Sequence, residues 1–185
     1  MRLMRILAIT TVFLSLVFAQ NGEKRTSGIA VYFLRDESHK QWCAYATESR
    51  FEVQIQALSA VVVGGADYVD GRLSLVRVTE TDETGDWAVN DVYTYNKSGQ
   101  IKSLKGTINI LPEDSSEEQL FVIENGRVVK QQSVYRELRT GKASQKSVNW
   151  FKAPPVITTT GAFPFSDLIG SKRNEVRSKG TVCIP

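Results

Sequence analysis

Three glycine turns punctuate residues 66 to 138 and constrain the chain to an antiparallel meander. They are Asp70-Gly71, Asn125-Gly126 and, in a longer loop, Asn96-Lys97-Ser98-Gly99. A two-residue hairpin loop needs positive φ at both central positions, which Asp-Gly and Asn-Gly adopt at little steric cost. Each turn follows an apolar or aromatic segment and precedes another. The expected strands lie near 66–69, 72–80, 87–96, 100–111, 119–124 and 127–138. Their glycines fall 28 and then 27 residues apart, and so short a series reads as an ordinary meander rather than a propeller or solenoid.

Face parity along these strands is clean at Ile108 and Ile110 against Thr107 and Asn109. It switches within Leu73–Val78, which calls for a bulge or for burial on both faces. Gly106 marks an expected bend. The stretch Tyr93-x-Tyr95-Asn96-x-x-Gly99-Gln100-Ile101 resembles the tyrosine-and-glycine hairpins of bacterial YD-type repeats. The likeness ends with that hairpin and brings no function with it.

Ahead of the meander, Gly28–Leu34 is a continuous apolar run and reads as a buried strand. The charged turn Arg35–Lys40 returns it into Gln41–Ala46, giving an N-terminal hairpin. Thr47–Ala60 fits both periods: Phe51, Val53, Ile55 and Ala57 alternate, while Phe51, Ile55, Leu58 and Val62 recur at helical spacing. We read it as a helix with Thr47 as N-cap and Glu48 in the first turn, ended by Val61-Val62-Val63-Gly64-Gly65. After Gly141 the character changes. Trp150–Pro155 stops regular structure, Ala162–Ile169 is apolar enough to dock on the body, Ser171–Lys179 reads as a solvated basic tail, and Thr181–Ile184 returns to place Cys183.

The first residues read as an export signal: two arginines in Met1–Arg5, an uncharged apolar run Ile6–Phe18, and small residues at Val17 and Ala19. Cleavage after Ala19 leaves 21 of the 23 basic side chains against 20 acidic ones. That balance argues against a nucleic-acid binder, which carries a basic patch or stripe. The chain divides into a signal peptide at 1–19, one β-rich domain at 20–140 and an extended C-terminal segment at 141–185 docking on it. No transmembrane span is expected after cleavage, and the expected location is periplasmic or extracellular. In that setting Cys43 and Cys183, 140 positions apart, are expected to pair as a disulfide. Free thiols or a redox pair are the alternatives.

The fold class expected is α+β, mostly β: an N-terminal hairpin and one helix packed on a large twisted meander sheet. Chemistry is sparse. His39 is the single histidine and sits in a charged turn, so no metal site and no cofactor is expected. The most suggestive cluster is the turn holding Asp82, Glu83, Asp86 and Trp87. Three carboxylates beside an indole are the groups that bind calcium or flank a sugar, while an acidic turn between strands also serves solubility alone. Glu113, Asp114, Glu117 and Glu118 are expected at the same end of the meander. The function expected is a non-enzymatic binding or cell-envelope module whose partner, unknown, is a protein, glycan or lipid. The alternatives are a carboxylate hydrolase working near Asp82–Asp86 and a carrier of an apolar ligand in a half-open sheet.

Overall fold

A computed structural model describes residues 31–144 and 155–185. The expected export signal and the Trp150–Pro154 stretch lie outside the described residues. Ten strands form one antiparallel sheet in the order β10-β2-β1-β3-β4-β5-β6-β7-β8-β9. The strands are β1 Val31–Asp36, β2 Gln41–Tyr45, β3 Val62–Val69, β4 Arg72–Thr81, β5 Trp87–Tyr95, β6 Ile101–Ile110, β7 Ser115–Glu124, β8 Arg127–Glu137, β9 Ala143–Ser144 and β10 Thr181–Ile184. Among the described residues, three α-helices accompany them, α1 Glu48–Leu58, α2 Ser166–Ile169 and α3 Arg173–Lys179, with a 3-10 turn at Thr160–Ala162.

The glycine turns form as the sequence predicts. Asp70 and Gly71 have φ of 50° and 77°, and Asn125 and Gly126 have 51° and 73°. The parity switch in β4 is a bulge: Leu75 opposes Asp67 while Leu73 opposes Tyr68. Ser74 is the extra residue, and its hydroxyl donates to the Asp67 carbonyl at 3.0 Å. Thr47–Ala60 is helical, with Thr47 at the N-cap position and Ser59 in the left-handed conformation at its end.

Four expectations need correction. Val62–Gly65 does not terminate the helix but opens β3. Gly64 is needed there for close approach, because a Cβ would run into the Arg77 carbonyl oxygen and the Phe33 ring. β7 starts at Ser115 rather than 119, because the connection from β6 is a tight turn with Asp114 at positive φ. Gly106 makes no bend; β5 and β7 pair with β6 in register through it. The basic tail is not simply solvated. Residues 173–179 form α3, which buries Val176 and ends at Gly180, φ 80°.

The two faces of the sheet are covered differently. On one, α1 lays Phe51 and Ile55 over Tyr32, Leu34, Cys43 and Tyr45. On the other, Phe163, Phe165, Leu168, Ile169 and Val176 of the C-terminal segment pack over β1 to β7. Phe165 stacks on Phe33 with ring centroids 3.9 Å apart. The Tyr68 hydroxyl donates to the Ile169 carbonyl at 2.6 Å, and the Arg173 guanidinium lies 3.7 Å above the Tyr68 ring. These contacts fix the C-terminal segment on its face. The disulfide Cys43–Cys183 joins directly opposed residues of β2 and β10, with Cα atoms 4.0 Å apart.

Candidate functional site

Cross-strand partners share a face, so the register determines what the C-terminal segment covers. One row across the sheet reads Phe33, Gly64, Val78, Asp91, Gly106, Gln119. The next reads Val62, Glu80, Val89, Ile108, Glu117, Tyr135. Both lie on the side packed by Phe163 and Phe165. Carboxylates therefore sit among the apolar positions of a core face.

Between β3, β4, β5 and the covering segment lies a pocket of about 170 Å³. Its polar groups are the carboxylates of Asp91 and Glu80, and Trp42, Tyr93, Phe163 and Phe165 supply aromatic walls. Pro155 and Pro164 complete the side formed by the C-terminal segment. The aromatic wall is self-supporting. Trp42 and Phe165 rings are 5.0 Å apart, Phe163 and Phe165 are stacked at 5.0 Å, and Tyr93 meets Phe163 edge-on at 4.9 Å.

Asp91 is held by its surroundings. The Tyr93 hydroxyl donates to its Oδ2 at 3.4 Å, and Tyr93 itself takes a hydrogen bond from the Ile157 backbone. Opposite Asp91, Gly106 has no side chain; a Cβ there would lie 3.0 Å from Asp91 Oδ1. The glycine thus leaves the carboxyl room to lie across β6 toward Gln119. Burial pushes the Asp91 carboxyl up to about 6, the Glu80 charge adds to this, and the Tyr93 hydrogen bond opposes it. Burial, with the Asp91 charge, also holds the Tyr93 phenol above its usual range. Among the described residues, no ion pair involves Asp91 or Glu80.

The turn singled out in the sequence begins two residues past Glu80, between β4 and β5, and supplies none of the residues lining the pocket. Asp82 shapes the turn: its carboxylate accepts from the Thr84 hydroxyl and from the Trp87 N–H. Its partial burial would raise its pKa, but these hydrogen bonds outweigh that and hold it low. Glu83 and Asp86 are exposed, and Trp87 packs with Val89, Ile108 and Ile110. The Leu111 N–H donates to the Asp86 carbonyl at 2.8 Å, so the two acidic turns adjoin as expected. Asp114 is engaged with the backbone and guanidinium of Arg139, each at 2.9 Å.

His39 is engaged too. Its Nδ1 lies 2.7 Å from Asp36 Oδ2, and hydrogen bonds from the Ser38 and His39 side chains hold Asp36 at about 2. Among the described residues, no three His, Cys, Asp or Glu side chains converge to hold a metal, and no helix is long and apolar enough to cross a membrane.

Sequence reading missed Asp91, Glu80 and the aromatic wall. One signal was there to find. Val89, Asp91, Tyr93 and Tyr95 share a parity, which puts an acid on the apolar face of β5 opposite a glycine. The chain matches no protein-family model, no curated protein and no solved structure.

Proposed function

We propose that this is a non-enzymatic binding module, acting outside the cytoplasm, that holds a small ligand in the pocket beneath its C-terminal segment. The observation that carries this reading is the pocket itself, where two carboxylates without ion-pair partners among the described residues face an aromatic wall. Binding sites are typically concave, mostly apolar and furnished with a few convergent polar groups. Its size favours a small ligand. About 170 Å³ is close to the cavity of about 150 Å³ that takes one benzene and falls short of the several hundred Å³ usual for drug-sized molecules. The disulfide supports a location in an oxidising compartment, where such bonds persist.

A carboxylate hydrolase is the second reading, favoured by one observation: Asp91 and Glu80 line one pocket, and Asp91 is shifted toward neutrality, as general acids are. A single experiment separates the two readings. A small-fragment mixture of neutral, anionic and cationic compounds is titrated into labelled protein and followed by NMR. The binding reading expects shifts at the Trp42 indole and at Tyr93 and Phe163, with the fragments recovered unchanged. Shifts confined to Trp87 and its turn would overturn it, and cleaved glycoside or ester fragments would favour the hydrolase.

A further inference from the structure

We propose that the pocket's ligand is a small organic cation, an ammonium group on a body about the size of one ring, held between the Asp91 and Glu80 carboxylates and the aromatic wall. This rests on the pocket being the binding site.

Charge gives the first reason. The groups facing Asp91 are Glu80 from β4, Tyr93 on its own strand, and Gln119 from β7 across Gly106. None is basic. Glu117, in the next row of β7, is buried outside the pocket's lining and accepts from the Gln119 amide at 2.7 Å. Arg35 shares a face with Trp42 but pairs with Glu37 at 3.1 Å. Negative charge in an apolar setting is costly unless it is paired, so a cation is favoured there and an anionic ligand is repelled.

The walls give the second reason. Tyrosine, tryptophan and phenylalanine faces attract ammonium groups, and desolvation strengthens the attraction. An alkylammonium matches both halves of the pocket: its charge meets the carboxylates and its carbon body meets Trp42, Phe163 and Phe165. A neutral ligand of the same shape would use the walls alone.

Acidity gives the consequence. Because Asp91 sits at about 6, acidifying from about pH 7.5 to about pH 5 leaves roughly a tenth of it ionised and weakens cation binding about tenfold. A neutral ligand would show no such loss.

The test is calorimetric and NMR titration of the intact protein with cyclopentylammonium, tetramethylammonium, cyclopentanol and cyclopentanecarboxylate, at about pH 7.5 and about pH 5. A blocked lysine amide tells a free amine from a lysine side chain as the source. The expected result is that the cations bind at the Trp42 indole, lose about tenfold in acid, and lose that pH dependence in Asp91→Asn. Glu80→Gln, at a half-buried position, weakens the cations independently should Asp91→Asn fold poorly. Equal binding of cyclopentanol and cyclopentylammonium, indifferent to both substitutions, would overturn the cation proposal and leave the pocket reading standing. No response at Trp42 to any of the compounds would remove both.

Discussion

At β1 and β2 the sheet is covered on both faces, whereas β8 is exposed along almost its whole length. The difference is written in composition. Val31-Tyr32-Phe33-Leu34 alternates between two buried surfaces, with Val31 and Phe33 under the C-terminal segment and Tyr32 and Leu34 under α1. β8 reads Arg-Val-Val-Lys-Gln-Gln-Ser-Val-Tyr-Arg-Glu and has neither cover among the described residues. It is held by its ladder with β7 on one edge and by the two-residue β9 on the other. One sheet thus contains a two-sided core and a single-layer extension. Ladder hydrogen bonds suffice to continue a sheet once a covered part has fixed its register, but each contributes only about 1 kcal/mol net. Burying a side chain such as Phe33 contributes about 1.5–3 kcal/mol.

The comparison can be broken most directly by truncation. Phe33→Ala should lower unfolding free energy by about 3–5 kcal/mol, and Val129→Ala on β8 should change it by no more than about 0.5 kcal/mol. Urea melts of the two variants check this, and similar effects would mean that the extension is as well anchored as the core.

Next in size is the disulfide. Cys43→Ala combined with Cys183→Ala should cost about 2–5 kcal/mol. Amide hydrogen exchange should show the loss first at β2, β10 and α3, with the β5–β7 ladder slower to respond. Earlier loosening of β8 would place the weak point at the wrong edge.

The smallest effect sharpens the boundary between the two regions, where Asp91 lies. Its pKa is raised on folding to about 6 from an unfolded value near 3.8, so the native state binds its proton more tightly. This contribution to stability is fully present below the unfolded value and is lost as pH rises through about 6. Asp91→Asn should flatten the stability profile over that window. Asp36 has the opposite sign: held at about 2, it supports the native state above its unfolded value, and that support disappears as pH falls toward about 2. An unchanged profile in Asp91→Asn, measured by thermal melts across pH, would mean the carboxyl is not desolvated.

Local rules made much of this fold legible. Positive-φ turns, alternation and the apolar run of β1 are set by residues close in sequence, and the structure follows them at Gly71, Gly99 and Gly126. The β4 bulge was visible as a parity switch. What was misread depends on distant partners. Val62–Gly65 looked like a terminator because two glycines disfavour regular structure, yet Gly64 is needed under Phe33, 31 positions earlier in the chain. α3 looked like a polar tail because only Val176 among its residues is apolar. The candidate site was the least legible part. Asp82, Glu83 and Asp86 attract notice because they are clustered in sequence, whereas Asp91 and Glu80 lie on neighbouring strands and meet Phe163 and Phe165 only through the return of the C-terminus.

The pairing of β10 with β2 also sets an order of events. Each meander hairpin closes over a few residues, but the last strand must find a partner 140 positions back, and the entropy of closing a loop grows with its length. Until residues near 181–184 are made, Cys43 has no partner. Truncation by even the last four or five residues would therefore leave an intact set of hairpins with an uncapped inner edge and a thiol free to bond to other chains.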